Sequence, residues 1–179
     1  MSDELVNHDP TRLVYPFFSI FALQIITMKP DYLMFGQEAM KKLIPQRKPM
    51  IMVEGLVSSD STSTVSALLI GEENIFVSDG LFSESGLIEN MAQTAALRSG
   101  YEAGLHGISP MVGFIGAVKK LQINRLPRVG EQLLTEVNLV SELLGAMVVH
   151  AITRVEGETI AEADLSIFLS EQTDKTKKA

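Results

Sequence analysis

Small and apolar side chains recur at helical spacing over residues 82–104, FSESGLIENMAQTAALRSGYEAG, with Ile88, Ala92, Ala95, Ala96 and Ser99 on the pattern. This predicts one long helix, with Ser83 or Ser85 as its polar start and Gly104 as its stop. The small side chains predict that a neighbouring backbone comes close. One charge interrupts the run: Glu89 lies one turn before Gln93 on the same face. A carboxylate set among Ile88, Met91 and Ala92 is either hydrogen-bonded at some cost or kept for chemistry.

The rest of the chain reads as a sheet built around that helix. Residues 31–44 carry an amphipathic pattern (Leu33, Met34, Met40, Leu43, Ile44) that predicts a short helix ending before Pro45. Pro45 and Pro49 bracket a turn, residues 50–57 and 63–70 read as strands, and residues 71–81 as a loop. After the helix, strands are expected over 111–123, 131–141, 147–155 and 159–169, with turns at 127–130, around Gly145 and at 156–157. Strands, one long helix and an antiparallel meander make an α+β domain over residues 29–170. Residues 171–179 read as a mobile polar tail. Residues 1–28 differ from the rest. Their apolar run, 13–27, is shorter than the roughly 20 residues a membrane span needs, and Pro16 interrupts it. The acidic flank also argues against a signal peptide. They are read as an upstream extension of a protein that starts at Met28; an extra element packed on the domain is the alternative.

Composition narrows the function. A chain of 179 residues points to a single domain, and the absence of cysteine excludes a disulfide framework, a thiolate nucleophile and a cysteine metal site. A reducing cytoplasm fits that usage. The net charge of −7 argues against a general nucleic-acid binder or a binder of anionic membranes. The basic residues are clustered, however: Lys41, Lys42, Arg47 and Lys48 in one run, Lys119, Lys120, Arg125 and Arg128 in another. An acidic partner can dock on such a patch, although solvated loops and strand edges account for the charge equally well. No phosphate-binding loop, no G-x-G-x-x-G and no metal-spaced histidine cluster occurs, so neither cofactor nor metal is expected.

Four segments in order carry a resemblance: LIPQRKPM, GLIENMAQ, RLPRVGEQL and the closing strand IAEADLSIFL. Together they resemble the hotdog-fold 3-hydroxyacyl-[acyl-carrier-protein] dehydratases, over about residues 35–169. The first is similar to that family's L-P-H-R-x-P segment, with Gln46 where histidine is usual. The third is similar to its R-x-P-V-x-P-G-D-x-L turn, with Arg125, Pro127, Gly130 and Gln132 at comparable places. The resemblance implies a hotdog, an antiparallel sheet wrapped around one central helix, and a dimer or higher oligomer with acyl sites at the subunit interface. It implies acyl-carrier-protein or CoA thioesters as partners in fatty-acid or polyene-type synthesis.

It also implies roles for residues. Eliminating water from a 3-hydroxyacyl thioester needs a base at C2, an acid for the departing hydroxyl and donors to the thioester oxygen. Glu89 matches the family's catalytic carboxylate, with Gln93 orienting it. Backbone amides around Ser85 and Gly86 are candidates for the thioester oxygen. The family's histidine belongs to a G-H-F-P-x-x-P-x-x-P-G segment, but here the corresponding VSDGLFSESG has neither proline nor histidine. Ser78 and Asp79 stand nearest that place, and Asp79 is the candidate base of a two-carboxylate site. His8, His106 and His150 read as structural or exposed. Lys119, Lys120, Arg125 and Arg128 are the candidate carrier-binding residues. Two alternatives stand beside a divergent dehydratase: a catalytically silent subunit paired with an active homologue, and a thioesterase using Glu89.

Overall fold

The computed structural model describes residues 33–109 and 111–170, and the readings of residues 1–28 and 171–179 fall outside them. Period-two burial produces the sheet. In β7 (Ala146–Val155) every second residue is buried, and β6 (Gln132–Leu143) and β8 (Glu158–Ser170) turn Leu133, Thr135, Val137, Ala163, Leu165 and Ile167 inward. With β1 (Gly55–Ser59), β2 (Ser63–Leu69) and β5 (Val112–Ile123) they form one six-stranded antiparallel sheet in the order β1-β2-β6-β7-β8-β5. β5 is therefore an edge.

The long helix α2 (Glu84–Leu105) lies on the inner face of this sheet, which is the expected hotdog arrangement. Ser83 caps it by accepting from the Gly86 amide. Leu87, Met91 and Ala95 join the sheet's Leu133, Val137, Met147 and Val149 in the main core. Burial of each large member contributes roughly 1.5–3 kcal/mol. On another side Leu97 packs with Met40 and Ile44, from and just after the short helix α1 (Gln37–Leu43), and with Val53 and Leu56.

A polar row at helical spacing ties α2 to its surroundings. Asn90 accepts from Thr135 (2.5 Å), which bonds Thr153 (2.9 Å), and Thr94 bonds Ser66 (2.7 Å). Arg98, only 3% exposed, donates to the carbonyls of Asp60 and Ser61 and pairs with Glu102. These side chains bond one another or nearby carbonyls, so the row aligns helix and sheet, and Arg98 Nε is the buried polar atom of the row left without a partner.

Three expectations need correction. Residues 50–57 do not form one strand: β1 begins only at Gly55, because the main chain at Met50 and Met52 bonds side chains of α2 rather than another strand. Residues 71–81 are not all loop. β3 (Val77–Ser78) and β4 (Leu81–Phe82) form a small hairpin, turned at Asp79 and Gly80 with φ of 53° and 76°, the left-handed pair that a two-residue turn requires. Third, the close backbone approach expected of the small residues of α2 occurs at Gly100, which is not among those singled out, where a Cβ would stand 1.9 Å from the Leu43 carbonyl oxygen. Ala92, Ala96 and Ser99 instead border open space.

Gly100→Ala is expected to cost about 1–3 kcal/mol in urea or thermal unfolding, since backbone must move to admit the methyl group. Gly104→Ala, with nothing within 4 Å of its new Cβ, is expected to gain about 0.5–1 kcal/mol. Equal stability of Gly100→Ala and the parent chain would contradict the packing of α1 against α2.

Candidate functional site

The small side chains of α2 leave a cavity of about 230 Å³ between the helix and the β5–β8 side of the sheet. Glu89, Ala92, Gln93, Ala96 and Ser99 form its helix wall. At 1.5 Å per residue, the ten-residue step from Glu89 to Ser99 runs about 15 Å along the axis. The opposite wall is apolar: Met111, Phe114, Ile115, Met147, Ile167 and Leu169. Gln46, from the segment after α1, completes the lining. A polar end on an apolar groove suits a ligand with a reactive head and a hydrocarbon chain.

Glu89 is held by an amide that makes three hydrogen bonds. Gln93 Oε1 accepts from the Met52 amide (2.7 Å), while Nε2 donates to the Met50 carbonyl (2.6 Å) and to Glu89 Oε1 (2.8 Å). The Met52 N–H must face an oxygen, so this network fixes which way the amide points. Asn90 adds a bond from Nδ2 to the Met52 carbonyl (2.7 Å). With Gln93 1% exposed and fully engaged, one carboxylate oxygen of Glu89 is pinned and the other is left to the cavity. Glu89 is the one titratable side chain in the lining.

The cavity brings Glu89 and Gln93 together, but not the other candidates. Asp79 and Ser78 sit exposed on the β3–β4 hairpin, where Asp79 serves the turn. Ser85 is exposed in the first turn of α2 and bonds Ser83. Gly86 is buried against the Phe76 and Phe82 side chains, where a Cβ would stand 2.6 Å from the Phe82 ring, and its amide is already given to Ser83. His106 is exposed beyond the helix. His150 lies on the face of the sheet turned away from α2 and bonds Asp164 at 2.8 Å. Among the described residues no group of three or more acidic, histidine or cysteine side chains is placed to hold a metal. Among them, too, no helix is long and apolar enough to cross a membrane.

The basic candidates are partly neutralised. Lys120 pairs with Asp164 at 2.8 Å, and its ammonium, with the His150 ring, holds that carboxyl below the usual range. Arg125 is clamped between Glu131 (2.8 Å) and Glu158 (3.0 Å). Lys119 and Arg128 are exposed on β5 and on the turn that follows it.

Sequence reasoning marked Gln46 only as a departure from a family pattern, with no role, and it missed the β5–β8 wall. No local pattern places either at the site, because they meet α2 only through the fold. The open positions of α2 were visible as small residues, but a small residue reads alike whether it admits a backbone or a ligand.

Comparison with known proteins agrees with this geometry. The chain is 27% identical over 135 residues to the 3-hydroxyacyl-[acyl-carrier-protein] dehydratase FabZ of Thermotoga neapolitana, covering 70% of this chain and 90% of that one. It is 25% identical over 134 residues to the Nitrosomonas europaea FabZ, covering 69% and 85%. Its fold is similar to a chain of the dehydratase heterocomplex ApeI:P from Xenorhabdus doucetiae, with a TM-score of 0.66 at 15% identity over 75% of this chain and 92% of that one. A hypothetical thioesterase from Streptococcus pneumoniae, solved with coenzyme A, shares the fold at a TM-score of 0.53 and 13% identity, over 65% and 85%. The model of the ApeP-like dehydratases matches residues 38–178, well over half of the sequence. The chain thus belongs to the ApeP-like dehydratase family, as a dehydratase-like hotdog protein.

Proposed function

We propose that this chain binds 3-hydroxyacyl thioesters with the acyl chain in the groove along α2, and that Glu89 serves their dehydration. The observation that carries this reading is the pinned carboxylate of Glu89 at the head of an apolar groove. In the elimination a base takes a proton from C2, the C2–C3 double bond forms, the C3–O bond breaks, and the departing hydroxyl gains a proton to leave as water. Glu89 supplies that proton from the cavity side, and Gln93 keeps it aimed. A carboxylate is a poor match for the C2 proton, and among the described residues no histidine lines the cavity. The base therefore comes from a second hotdog chain.

The edge strand β5 is where that chain docks. Phe114 is 60% and Ile115 40% exposed although both wall the cavity, so among the described residues nothing covers the groove from outside. From β8, Phe168, in register with Phe114, continues the apolar surface beside them, and Leu121 is a further exposed apolar side chain along β5. An uncovered apolar edge of this kind favours pairing with another sheet. The partner is either a second copy or a homologue that carries a histidine. The thioester arrives on an acyl carrier protein or coenzyme A, and Lys119 and Arg128 are the cations best placed to meet an acidic carrier.

Mass spectrometry of a 3-hydroxyacyl carrier protein tests the chemistry, with the chain alone and mixed with a histidine-bearing hotdog partner. Loss of water in the mixture, lowered about 10²–10⁴-fold by Glu89→Gln, is the expected result. Water loss by the chain alone would place the base within copies of this chain and rule out the need for a histidine-bearing homologue. Release of free thiol would make it a thioesterase, and an unchanged but bound acyl chain would make it a silent subunit. For assembly, Leu121→Glu with Phe168→Glu is expected to shift the native mass to that of a monomer. For the carrier, Lys119→Glu with Arg128→Glu is expected to weaken binding at low salt, and an unchanged affinity would rule the patch out.

A further inference from the structure

Gln46 lines the cavity, and its Oε1 is shut off from solvent with no hydrogen-bond partner. An acceptor buried in this way costs free energy that a hydrocarbon side chain would not. Its main chain is firmly held: Arg47 donates to the carbonyls of Lys41, Ile44 and Gln46, which latches the segment onto the end of α1. The side chain therefore projects from an anchored backbone into the groove that Glu89 heads. Gln93, the other amide of the lining, already gives its oxygen to the Met52 amide, whereas Gln46 Oε1 has no partner.

Resting on the acyl-thioester reading above, we propose that Gln46 is a specificity residue that accepts a hydrogen bond from a donor at the thioester end of the ligand. An amide neither takes nor gives a proton at working pH, so the role is recognition and not acid–base chemistry. Two donors of the same chemistry lie near the thioester carbon: the 3-hydroxyl of the acyl chain and the N–H of the pantetheine arm. The buried oxygen comes to the groove when the amide turns about its last side-chain bond, a soft torsion, and binding then supplies the donor that the empty groove withholds. A site with a buried acceptor discriminates against a ligand that leaves it unpaired.

The test is calorimetric binding of two analogues of equal chain length that cannot be hydrolysed, 3-hydroxyacyl- and acyl-pantetheine with the sulfur replaced by methylene. The chain is used without a histidine-bearing partner, and recovery of the intact hydroxylated analogue is checked by mass. Wild type is compared with Gln46→Met, which keeps the side chain's length and removes the amide. Its melting temperature is expected to match or exceed that of wild type, because the orphaned acceptor is gone; a structural role for Gln46 would lower it. A loss of about tenfold confined to the hydroxylated analogue assigns the 3-hydroxyl as the donor. An equal loss on both analogues assigns the N–H of the arm. Unchanged affinities for both would overturn the proposal while leaving the acyl-thioester reading intact. Failure of wild type to bind either analogue would overturn that reading and this one together.

Discussion

The site depends on two side-chain amides of one helix bonding to a stretch of main chain that would otherwise be a strand. Asn90 and Gln93 occupy the carbonyls of Met50 and Met52 and the amide of Met52. Buried backbone groups must find partners somewhere. Because these partners are on α2, the segment crosses the helix instead of joining the sheet, and it brings Gln46 to the same groove. The bond that remains to Gln93 fixes Glu89. Losing the Gln93 amide would leave main chain and carboxylate unpaired together, so the geometry of the catalytic candidate and the course of the chain are one construction.

The same helix solves opposite problems on its different sides. Leu87, Met91 and Ala95 fill the core, and Asn90, Thr94 and Arg98 satisfy buried polar groups. Ala92, Ala96 and Ser99 keep space open. Only the third set leaves room for a ligand, and it faces the edge strand β5 with its exposed Phe114 and Ile115. The groove thus opens where the sheet ends. An acyl chain laid there needs a cover, and in our account the second chain provides both cover and base.

Much of this was legible in the sequence. The alternation in 131–141, 147–155 and 159–169 reflects one face buried against α2, and each strand appears within a few residues of its expected limits. Glu89 and Gln93 were readable as a pair because helical spacing puts positions four apart on one face. The stretch 50–57 was misread because apolar content does not say whether a main chain bonds a strand or a side chain 41 residues away, as Met52 does with Gln93. The β3–β4 hairpin escaped because its strands are two residues each, although Asp79-Gly80 is a strong turn signal. Gln46 was visible only as a departure from a family pattern. What the departure does required the fold, which sets an unpartnered acceptor beside the groove.

The central claim is that the groove along α2 is the acyl site, and photochemical labelling addresses it most directly. An acyl-pantetheine carrying a diazirine near the end of its chain would be irradiated with the protein, and the adducts mapped by peptide sequencing. The account predicts labels at Ile115, Met147, Ile167 or Leu169, or on α2 at Ala96 or Ser99, suppressed by excess unlabelled ligand. Saturable labelling confined to residues outside that lining, such as the β1–β2 side of the sheet, would contradict it.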